Sequence, residues 1–329
     1  MVLLAAGIAR FIAGKRTLRV PCLVVAVVGA LCGVAAVANA RPFIYFTQYE
    51  DAPSDVGSIV RLPIGVQGLS YREPTTVVEG GRGQLWPGEP MSITVNRHGI
   101  YWAMWSDYGG PDSIGHATLD GRRLNVRLVP QVQADDLVSD ARHLYWLERT
   151  PWPDETFVGR AGLDGRHINR RFVRLPGSAT ALAIGDEWLY FATDAPDAAF
   201  SSIGRVGLDG KRLNRQLFVV PDAARNIAVS RTHLWVAGTA LWRAQLDGRK
   251  PRRLLSGVQF GGGGMPVLGR NLYWQYANNN RCCSDGGVAR FSVDGNNLKA
   301  PYIPVGGNGI AIGPGPPPHR PKASQKVSR

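Results

Sequence analysis

The feature that most constrains this chain is a short sequence pattern that occurs five times at a spacing of roughly 45 residues. Each copy is an alternating apolar segment that leads into an Asp-Gly pair. The pairs are Asp120-Gly121, Asp164-Gly165, Asp209-Gly210, Asp247-Gly248 and Asp294-Gly295. Asp-Gly between two apolar runs is typical of a two-residue hairpin turn. A hairpin unit repeated at a fixed period predicts a repeat architecture.

A second recurring element is an apolar strand with aromatic residues at its centre. Its six copies are Ile44-Tyr45-Phe46, Ile100-Tyr101-Trp102, Leu144-Tyr145-Trp146, Leu189-Tyr190-Phe191, Leu234-Trp235-Val236 and Leu272-Tyr273-Trp274. Aromatic and β-branched residues favour strands because they cover a pleated, half-buried surface. A short apolar strand before five of the six elements and another after each Asp-Gly pair bring the unit to four strands. The sequence therefore predicts an all-β fold, a six-bladed β-propeller with four-stranded blades.

The two ends of the repeat region complement each other. The first aromatic strand begins directly after Arg41-Pro42 and has no apolar strand before it, whereas Asn308–Ile312 is an apolar strand without a unit of its own. We expect the C-terminal strand to complete the N-terminal blade and close the ring, which leaves only short, protected edges. Residues 41–313 are accordingly predicted to form one domain.

The repeat also resembles a known family. The strand Leu144-Tyr145-Trp146, followed downstream by Val158-Gly-Arg-Ala-Gly-Leu-Asp164-Gly165, is similar to the YWTD repeat of low-density-lipoprotein-receptor-type propellers. It is also similar to exported bacterial propellers of unassigned function that are built from the same unit. The resemblance spans about residues 42–313, and it implies the six-bladed propeller fold.

The first forty residues have the composition of a targeting segment. They contain no acidic residue, the bases Arg10, Lys15, Arg16 and Arg19, an apolar run over 20–37 and the small-residue end Ala38-Asn39-Ala40. This order predicts a secretory signal peptide cleaved after Ala40. An uncleaved membrane anchor is the alternative, because the run approaches the ~20 residues that span a bilayer. Both interpretations place the propeller outside the cytoplasm, either secreted or anchored to the membrane.

Only two cysteines follow that segment, the adjacent Cys282 and Cys283. In an oxidising compartment two neighbouring thiols are candidates for a vicinal disulfide, whose ring is strained and readily reduced. The alternatives are a stiffened loop, two free thiols or a redox-sensitive rim at a ligand site. Metal-ligand spacing such as Cys-x-x-Cys is absent from the sequence.

The net charge of +13 is concentrated at the two ends. The leader carries four bases, and the Pro-rich segment 314–329 carries Arg320, Lys322, Lys326 and Arg329 without any acid, a composition that predicts disorder. The remaining propeller is modestly basic, so we expect no specific nucleic-acid partner. We also expect a monomer.

Charge is expected to differ between the two faces of the disc. We call turn face the side with the turns that join first to second and third to fourth strands, and loop face the opposite side. The turns contain Arg97, Arg122, Arg123, Arg142, Arg166, Lys211, Arg212, Arg231, Arg249, Lys250 and Arg270, whereas most acids fall in the other connections. A basic turn face would attract an anionic envelope polymer, and the loop face would be acidic.

The longer connections all belong to the loop face, and they carry the candidate binding residues Tyr49, Trp105, Tyr108, Trp152 and Tyr276. Long loops on a rigid scaffold commonly carry function, and aromatic rings supply rigid contact area. The alternative role for each ring is to cap its blade. The sequence therefore favours an exported, non-enzymatic scaffold that binds a protein or glycan, with no cofactor and no catalytic residue predicted.

A calcium-dependent hydrolase or lyase with a site at the central channel is the alternative function. Four acids near the blade entries are its weak candidate metal ligands: Glu89, Asp135, Asp136 and Asp222. Calcium favours such oxygen ligands. Motifs of serine hydrolases and zinc proteases are absent from the sequence. The glycine run Gly261–Gly264 leads into Met265-Pro266 rather than into a Lys-Ser helix start, so it is interpreted as a flexible link between blades.

Overall fold

The computed structural model describes residues 42–50, 56–64, 74–79, 89–105, 112–151, 154–194, 200–258, 260–261, 263–276, 287–294, 297–303 and 307–316. By its contacts the chain divides into Met1–Ala40, which lies outside the described residues, and Arg41–Arg329. Among the described residues there is no helix with the length and hydropathy needed to cross a membrane.

The described residues form six four-stranded antiparallel sheets, which confirms the predicted blades. Blade 1 contains β24 (Ile310–Pro314), β1 (Pro42–Glu50), β2 (Val56–Pro63) and β3 (Thr75–Glu79). Blade 2 contains β4 (Glu89–Asn96), β5 (Gly99–Trp105), β6 (Ser113–Ala117) and β7 (Asn125–Pro130). Blade 3 contains β8 (Ala134–Ser139), β9 (His143–Pro151), β10 (Asp154–Gly162) and β11 (Asn169–Arg174).

The remaining blades repeat this order. Blade 4 contains β12 (Ser178–Ile184), β13 (Trp188–Asp194), β14 (Ser201–Gly207) and β15 (Asn214–Val220). Blade 5 contains β16 (Asn226–Val229), β17 (His233–Ala237), β18 (Ala240–Gln245) and β19 (Arg252–Ser256). Blade 6 contains β20 (Val267–Leu268), β21 (Asn271–Tyr276), β22 (Gly287–Ser292) and β23 (Leu298–Ile303).

The ring closes as predicted. The C-terminal strand β24 pairs with β1 in an antiparallel register that places Ile312 opposite Ile44. The Thr47 hydroxyl accepts the N–H groups of Asn308 and Gly309 at 3.2 and 2.8 Å. One apolar cluster joins Ile44 and Phe46 of blade 1 to Tyr273 and Val288 of blade 6, so the first and last blades share a core.

Packing of a tryptophan against a glycine within a blade explains why a glycine recurs in the third strand. Trp102 lies opposite Gly115, and Trp146 lies opposite Gly159. A Cβ atom at either glycine would overlap the neighbouring indole. The glycine after the apolar residue of the third strand therefore makes room for the large ring of the second strand, and both indoles are fully buried.

A hydrogen-bonded contact between neighbouring blades explains why an aromatic residue of the second strand is paired with a basic residue of the third strand. We call this contact the clasp. The aromatic residue of the second strand lies opposite a basic residue of the third strand, as in the pair Tyr190 and Arg205. The Tyr190 hydroxyl and Arg205 Nη1 both donate to the carbonyl of Leu246 in the next blade, at 3.3 and 3.1 Å. The same pairing occurs at Tyr45–Arg61, Tyr101–His116, Tyr145–Arg160, Trp235–Arg243 and Tyr273–Arg290. This basic residue recurs in the sequence two positions after the apolar residue of each third strand, a signal that was not among the sequence-based predictions.

The prediction of two-residue hairpins at Asp-Gly is wrong. The third and fourth strands of blade 2 end and begin at Ala117 and Asn125, so the connection is longer. The glycines do adopt positive φ, 78° at Gly121 and 76° at Gly165. In the longer turns a second residue also has positive φ, for example His167 at 54°, and the third strand carries a register shift that displaces the fourth strand.

Candidate functional site

The loop-face aromatic residues that the structure describes lie on neighbouring blades. Tyr49, Trp105 and Tyr276 lie at or next to the loop-face ends of the second strands of blades 1, 2 and 6. Blade 6 adjoins blade 1 through the closed ring, so these positions form one arc. Tyr108 and Trp152 lie outside the described residues, as do Cys282 and Cys283 and the side chain of Tyr49.

Trp105 is held in place by its neighbour blade. Its indole Nε1 donates to the carbonyl of Ala134 in blade 3 at 3.0 Å, and the residue is only partly buried. Tyr276 is also partly buried, and burial raises the pKa of its phenol, so the ring is neutral at physiological pH. An oriented indole with an accessible edge supplies contact area at low entropic cost.

Asp136 is part of the wall of the channel, and its carboxylate connects three blades. It accepts N–H groups from Leu137 of its own strand and from Leu182 of blade 4, both at 2.8 Å, and the Ser92 hydroxyl of blade 2 at 2.9 Å. Burial raises the pKa of Asp136, whereas these hydrogen bonds act in the opposite direction, and the nearby charge of Asp135 adds to the rise. These contacts make Asp136 a structural brace between the inner strands β4, β8 and β12.

Asp222 has a comparable role at the link between blades 4 and 5. Its buried carboxylate accepts the N–H and hydroxyl of Thr239, both at 3.0 Å, and the N–H of Ala240 at 2.8 Å. These donors belong to the turn between β17 and β18. Asp222 therefore fixes the entry of the third strand of blade 5.

The structure does not bring the four proposed metal ligands together. Glu89 accepts a hydrogen bond from the Asn308 side chain at the closure of the ring, and Asp135 is partly buried beside Asp136. Within the described part of the chain, no three His, Cys, Asp or Glu side chains form a group that could hold a metal ion.

The glycine run links blades 5 and 6 as predicted, and its described residues are hydrogen-bonded to the surrounding blades. The Asn226 side chain donates to the carbonyl of Gly261 and accepts the N–H of Gly264, at 3.2 and 2.9 Å. The Ile310 N–H of blade 1 donates to the Gly263 carbonyl at 3.0 Å. A Cβ at Gly263 would lie 3.1 Å from Ser92 Cβ of blade 2. The run thus contacts the inner strands of blades 1, 2 and 5, which places it across the loop-face end of the channel.

The turn face carries acids beside its bases, so its positive charge is partly neutralised within the turns. The carboxylates of the Asp-Gly pairs lie beside the bases of the same turns, as in Arg122–Asp120 at 3.5 Å and Arg249–Asp247 at 3.5 Å. Arg270 and Asp294 form a closer pair at 2.5 Å. The reason is local: in most of these turns the aspartate also accepts the N–H of the residue two positions later, which holds the acid next to the base.

No protein-family model matches the chain, and no curated protein matches it in sequence. Solved structures do. One chain of the nidogen/laminin complex superposes with a TM-score of 0.65 at 16% identity, over 82% of this chain and 98% of that one. A TolB-like protein from Agrobacterium tumefaciens gives 0.54 at 12%, over 82% and 92%. A gluconolactonase from Xanthomonas campestris gives 0.50 at 18%, over 84% and 85%.

This chain is a six-bladed β-propeller. The expected similarity to the YWTD-type propellers is confirmed at the level of the fold. Identities in this range establish a shared architecture, and function has to be argued from the site itself.

Proposed function

We propose that this propeller is a non-enzymatic scaffold that binds a protein partner through the loop face of blades 6, 1 and 2. The observation that carries the proposal is the Trp105 ring, which is fixed by its hydrogen bond to Ala134 and is only partly buried. Tyr276 lies on the same arc of blades. Rigid, partly exposed aromatic residues are the side chains that most often dominate protein interfaces.

The buried carboxylates among the candidate metal ligands support binding rather than catalysis. Asp136 and Asp222 each accept three hydrogen bonds from groups that belong to the blade framework. A carboxylate that accepts three hydrogen bonds from the blade framework stabilises the folded structure. The glycine run across the loop-face end of the channel also favours contacts on the surface of that face over a reaction within the channel.

The fold neighbours are compatible with a protein as the partner. One of them was solved as a nidogen/laminin complex, so a propeller of this architecture occurs in a protein–protein assembly. The leader over 1–40 supports the further proposal that the domain acts outside the cytoplasm. N-terminal sequencing of the exported protein would distinguish cleavage after Ala40 from an uncleaved anchor.

The test compares three forms of the immobilised propeller in capture from the envelope and secreted fractions of its source organism. The wild type should retain a partner, and the variant with Trp105→Ala and Tyr276→Ala should retain at least about tenfold less, because hot-spot aromatics contribute 2 kcal/mol or more. Ile168→Ala is the matched control, since Ile168 is an exposed apolar residue on the turn face.

Undiminished capture by the double variant would contradict the proposal, provided that its unfolding midpoint matches that of the wild type. Protease treatment of the fractions before capture distinguishes the class of partner. Loss of the captured material after treatment identifies a protein, whereas its persistence identifies a glycan.

A further inference from the structure

The turns between third and fourth strands expose an apolar side chain at one repeated position. Leu124, Ile168 and Leu298 each stand four residues after the aspartate of an Asp-Gly pair, and they are 48%, 43% and 42% exposed. Among the described residues, none of the three belongs to an apolar core cluster. Isolated surface leucines are ordinary, but an exposed one that recurs at equivalent places of several blades indicates a shared contact.

Basic side chains surround these apolar residues. We call outer rim the third-to-fourth turns of blades 2 to 5 with the start of each fourth strand, residues 118–127, 162–171, 207–215 and 245–253. Its acids are Asp120, Asp164, Asp209 and Asp247. Its bases, all exposed, are Arg122, Arg123, Arg127, Arg166, Arg170, Arg171, Lys211, Arg212, Arg215, Arg249, Lys250, Arg252 and Arg253. The aspartates therefore offset only part of the positive charge.

The excess of positive charge belongs to the perimeter of the turn face. The inner turns, between first and second strands, have nearly balanced charge. Their arginines are Arg97, Arg142, Arg231 and Arg270, and their acids are Asp140, Asp186 and Glu187. The exposed apolar residues are thus located where the face is most basic.

This combination matches the surface of a bilayer that contains anionic lipids. Equivalent turns of similar blades lie at about the same level around the ring, so their side chains can meet one flat surface together. Lipid phosphates attract the arginines and lysines, and the boundary below the headgroups accommodates leucine and isoleucine. A dissolved anionic polymer would engage the bases alone and would leave Leu124, Ile168 and Leu298 in water.

The path of the chain places the membrane on the same side. The first strand of blade 1, β24, runs from the loop face to the turn face, so β1 begins at the turn face with Pro42 opposite Pro314. The apolar run over 20–37 precedes Pro42 by only a few residues. If that run stays in the bilayer as an anchor, the turn face is the side of the propeller next to the membrane.

We propose that the outer rim of the turn face docks on a bilayer containing anionic lipids, with Leu124, Ile168 and Leu298 inserted below the headgroups. The inference is independent of the proposed loop-face function, because the two surfaces lie on opposite faces. An orientation of this kind directs the loop face away from the membrane, where a protein partner has access to it.

Sedimentation with vesicles tests the proposal on the form from residue 41 onward, which contains the closed ring without the separate unit 1–40. The probes are mixed phosphatidylglycerol–phosphatidylcholine vesicles and pure phosphatidylcholine vesicles. The wild type should bind the anionic vesicles, and more weakly at high salt. Arg123→Gln with Arg127→Gln should weaken this binding about thirtyfold, since each base near an anionic surface contributes about fivefold.

A second variant removes apolar contact without any change in charge. Leu124→Ala with Leu298→Ala should weaken binding to the anionic vesicles about tenfold, because less apolar area enters the bilayer. The matched control is Val219→Ala with Arg225→Gln. It removes an exposed apolar residue and an exposed base near the loop-face end of blade 4 and the link that follows it. The control should bind as the wild type does.

Three results would overturn the proposal: no vesicle binding by the wild type, an equal loss in the control, or unchanged binding of either turn-face variant. A soluble polyanion, dextran sulfate, identifies the alternative partner. If the apolar variant binds both vesicles and dextran sulfate as the wild type does, while the arginine variant loses both, the face binds anionic polymers and does not insert into a bilayer. The substituted side chains are exposed, so the unfolding midpoints of all variants should match that of the wild type.

Discussion

The turn-face side and the loop-face side of the blade interfaces are built in different ways. On the turn-face side one contact, the clasp, recurs around the ring, with a tyrosine or basic side chain donating to the carbonyl before the next Asp-Gly pair. On the loop-face side the contacts between blades differ: Trp105 donates to Ala134, Asp136 joins Ser92 to Leu182, and Asn226 binds the glycine run. Repeated residues thus define the ring, whereas the unrepeated side is free to carry a specific site.

Removing the Asp136 brace should have the largest effect on stability. Asp136→Ala leaves the buried Leu182 N–H and the Ser92 hydroxyl without their acceptor, and each unsatisfied group costs about 1–3 kcal/mol. We expect the free energy of unfolding in urea to fall by about 3–5 kcal/mol. Asp164→Ala, at an exposed turn, is the control and should cost less than about 1 kcal/mol. A cost at Asp136 as small as that of the control would show that loop-side interfaces do not depend on their individual contacts.

Disturbing a Trp-Gly pair should have the next largest effect. Gly159→Ala places a methyl group in the space of the Trp146 indole, so the ring has to move in a packed blade. Overpacking of this kind costs about 1–3 kcal/mol, which denaturant unfolding can measure. Adding Trp146→Phe should recover part of the loss, because the smaller ring leaves room for the methyl group. Additive costs of the two substitutions would contradict the assignment of this contact.

Loss of a single clasp should have a smaller effect, because the contact is repeated. Tyr190→Phe removes one hydrogen bond to Leu246 but leaves the bond from Arg205 in place. The expected loss is about 1 kcal/mol in the free energy of unfolding. Tyr101→Phe should cost a similar amount, since its hydroxyl donates to Leu163 in the same way. Widely different costs at the two positions would show that the clasp is not an equivalent unit.

The smallest expected effect is the pH dependence that arises from Asp136. Burial raises its folded-state pKa, so the folded protein binds this proton more tightly than the unfolded chain does. The resulting contribution to stability is present below the unfolded pKa and is lost as the pH rises through the folded pKa. A carboxyl titration by NMR should find the pKa of Asp136 above the ordinary value of an aspartate. A pKa below that value would mean that the hydrogen bonds from Ser92 and Leu182 outweigh burial.

The parts of the fold that could be predicted from the sequence are those specified by motifs that recur from blade to blade. Six aromatic strands and five Asp-Gly pairs sufficed for the blades, and the strand Asn308–Ile312 sufficed for the closure. Hairpin length was mispredicted because the register shift in each third strand, as between Val158 and Arg160, depends on pairing with the fourth strand. The role of Arg205 and its equivalents was also not predicted. A basic residue in a strand is ordinarily expected to face solvent, and its acceptor in the next blade becomes known only from the structure.

The site was less predictable because its partners are main-chain groups. Nothing in the sequence indicates that Asp136 meets the Leu182 N–H or that Asp222 meets Ala240, since both contacts form only when blades pack together. The local charge pairs of the turn face were unpredictable for a related reason. Several arginines of the turns lie beside the aspartates that shape the same turns, and this proximity depends on the conformation of the turn.

The central claim is that the carboxylates of Asp136 and Asp222 serve the fold and not a metal. Thermal unfolding of the domain from residue 41 onward, with chelator and with added calcium, tests it most directly, together with elemental analysis of the purified protein. The account predicts the same unfolding midpoint under both conditions and no stoichiometric calcium. Calcium bound at one equivalent, with a midpoint that falls on chelation, would contradict the account.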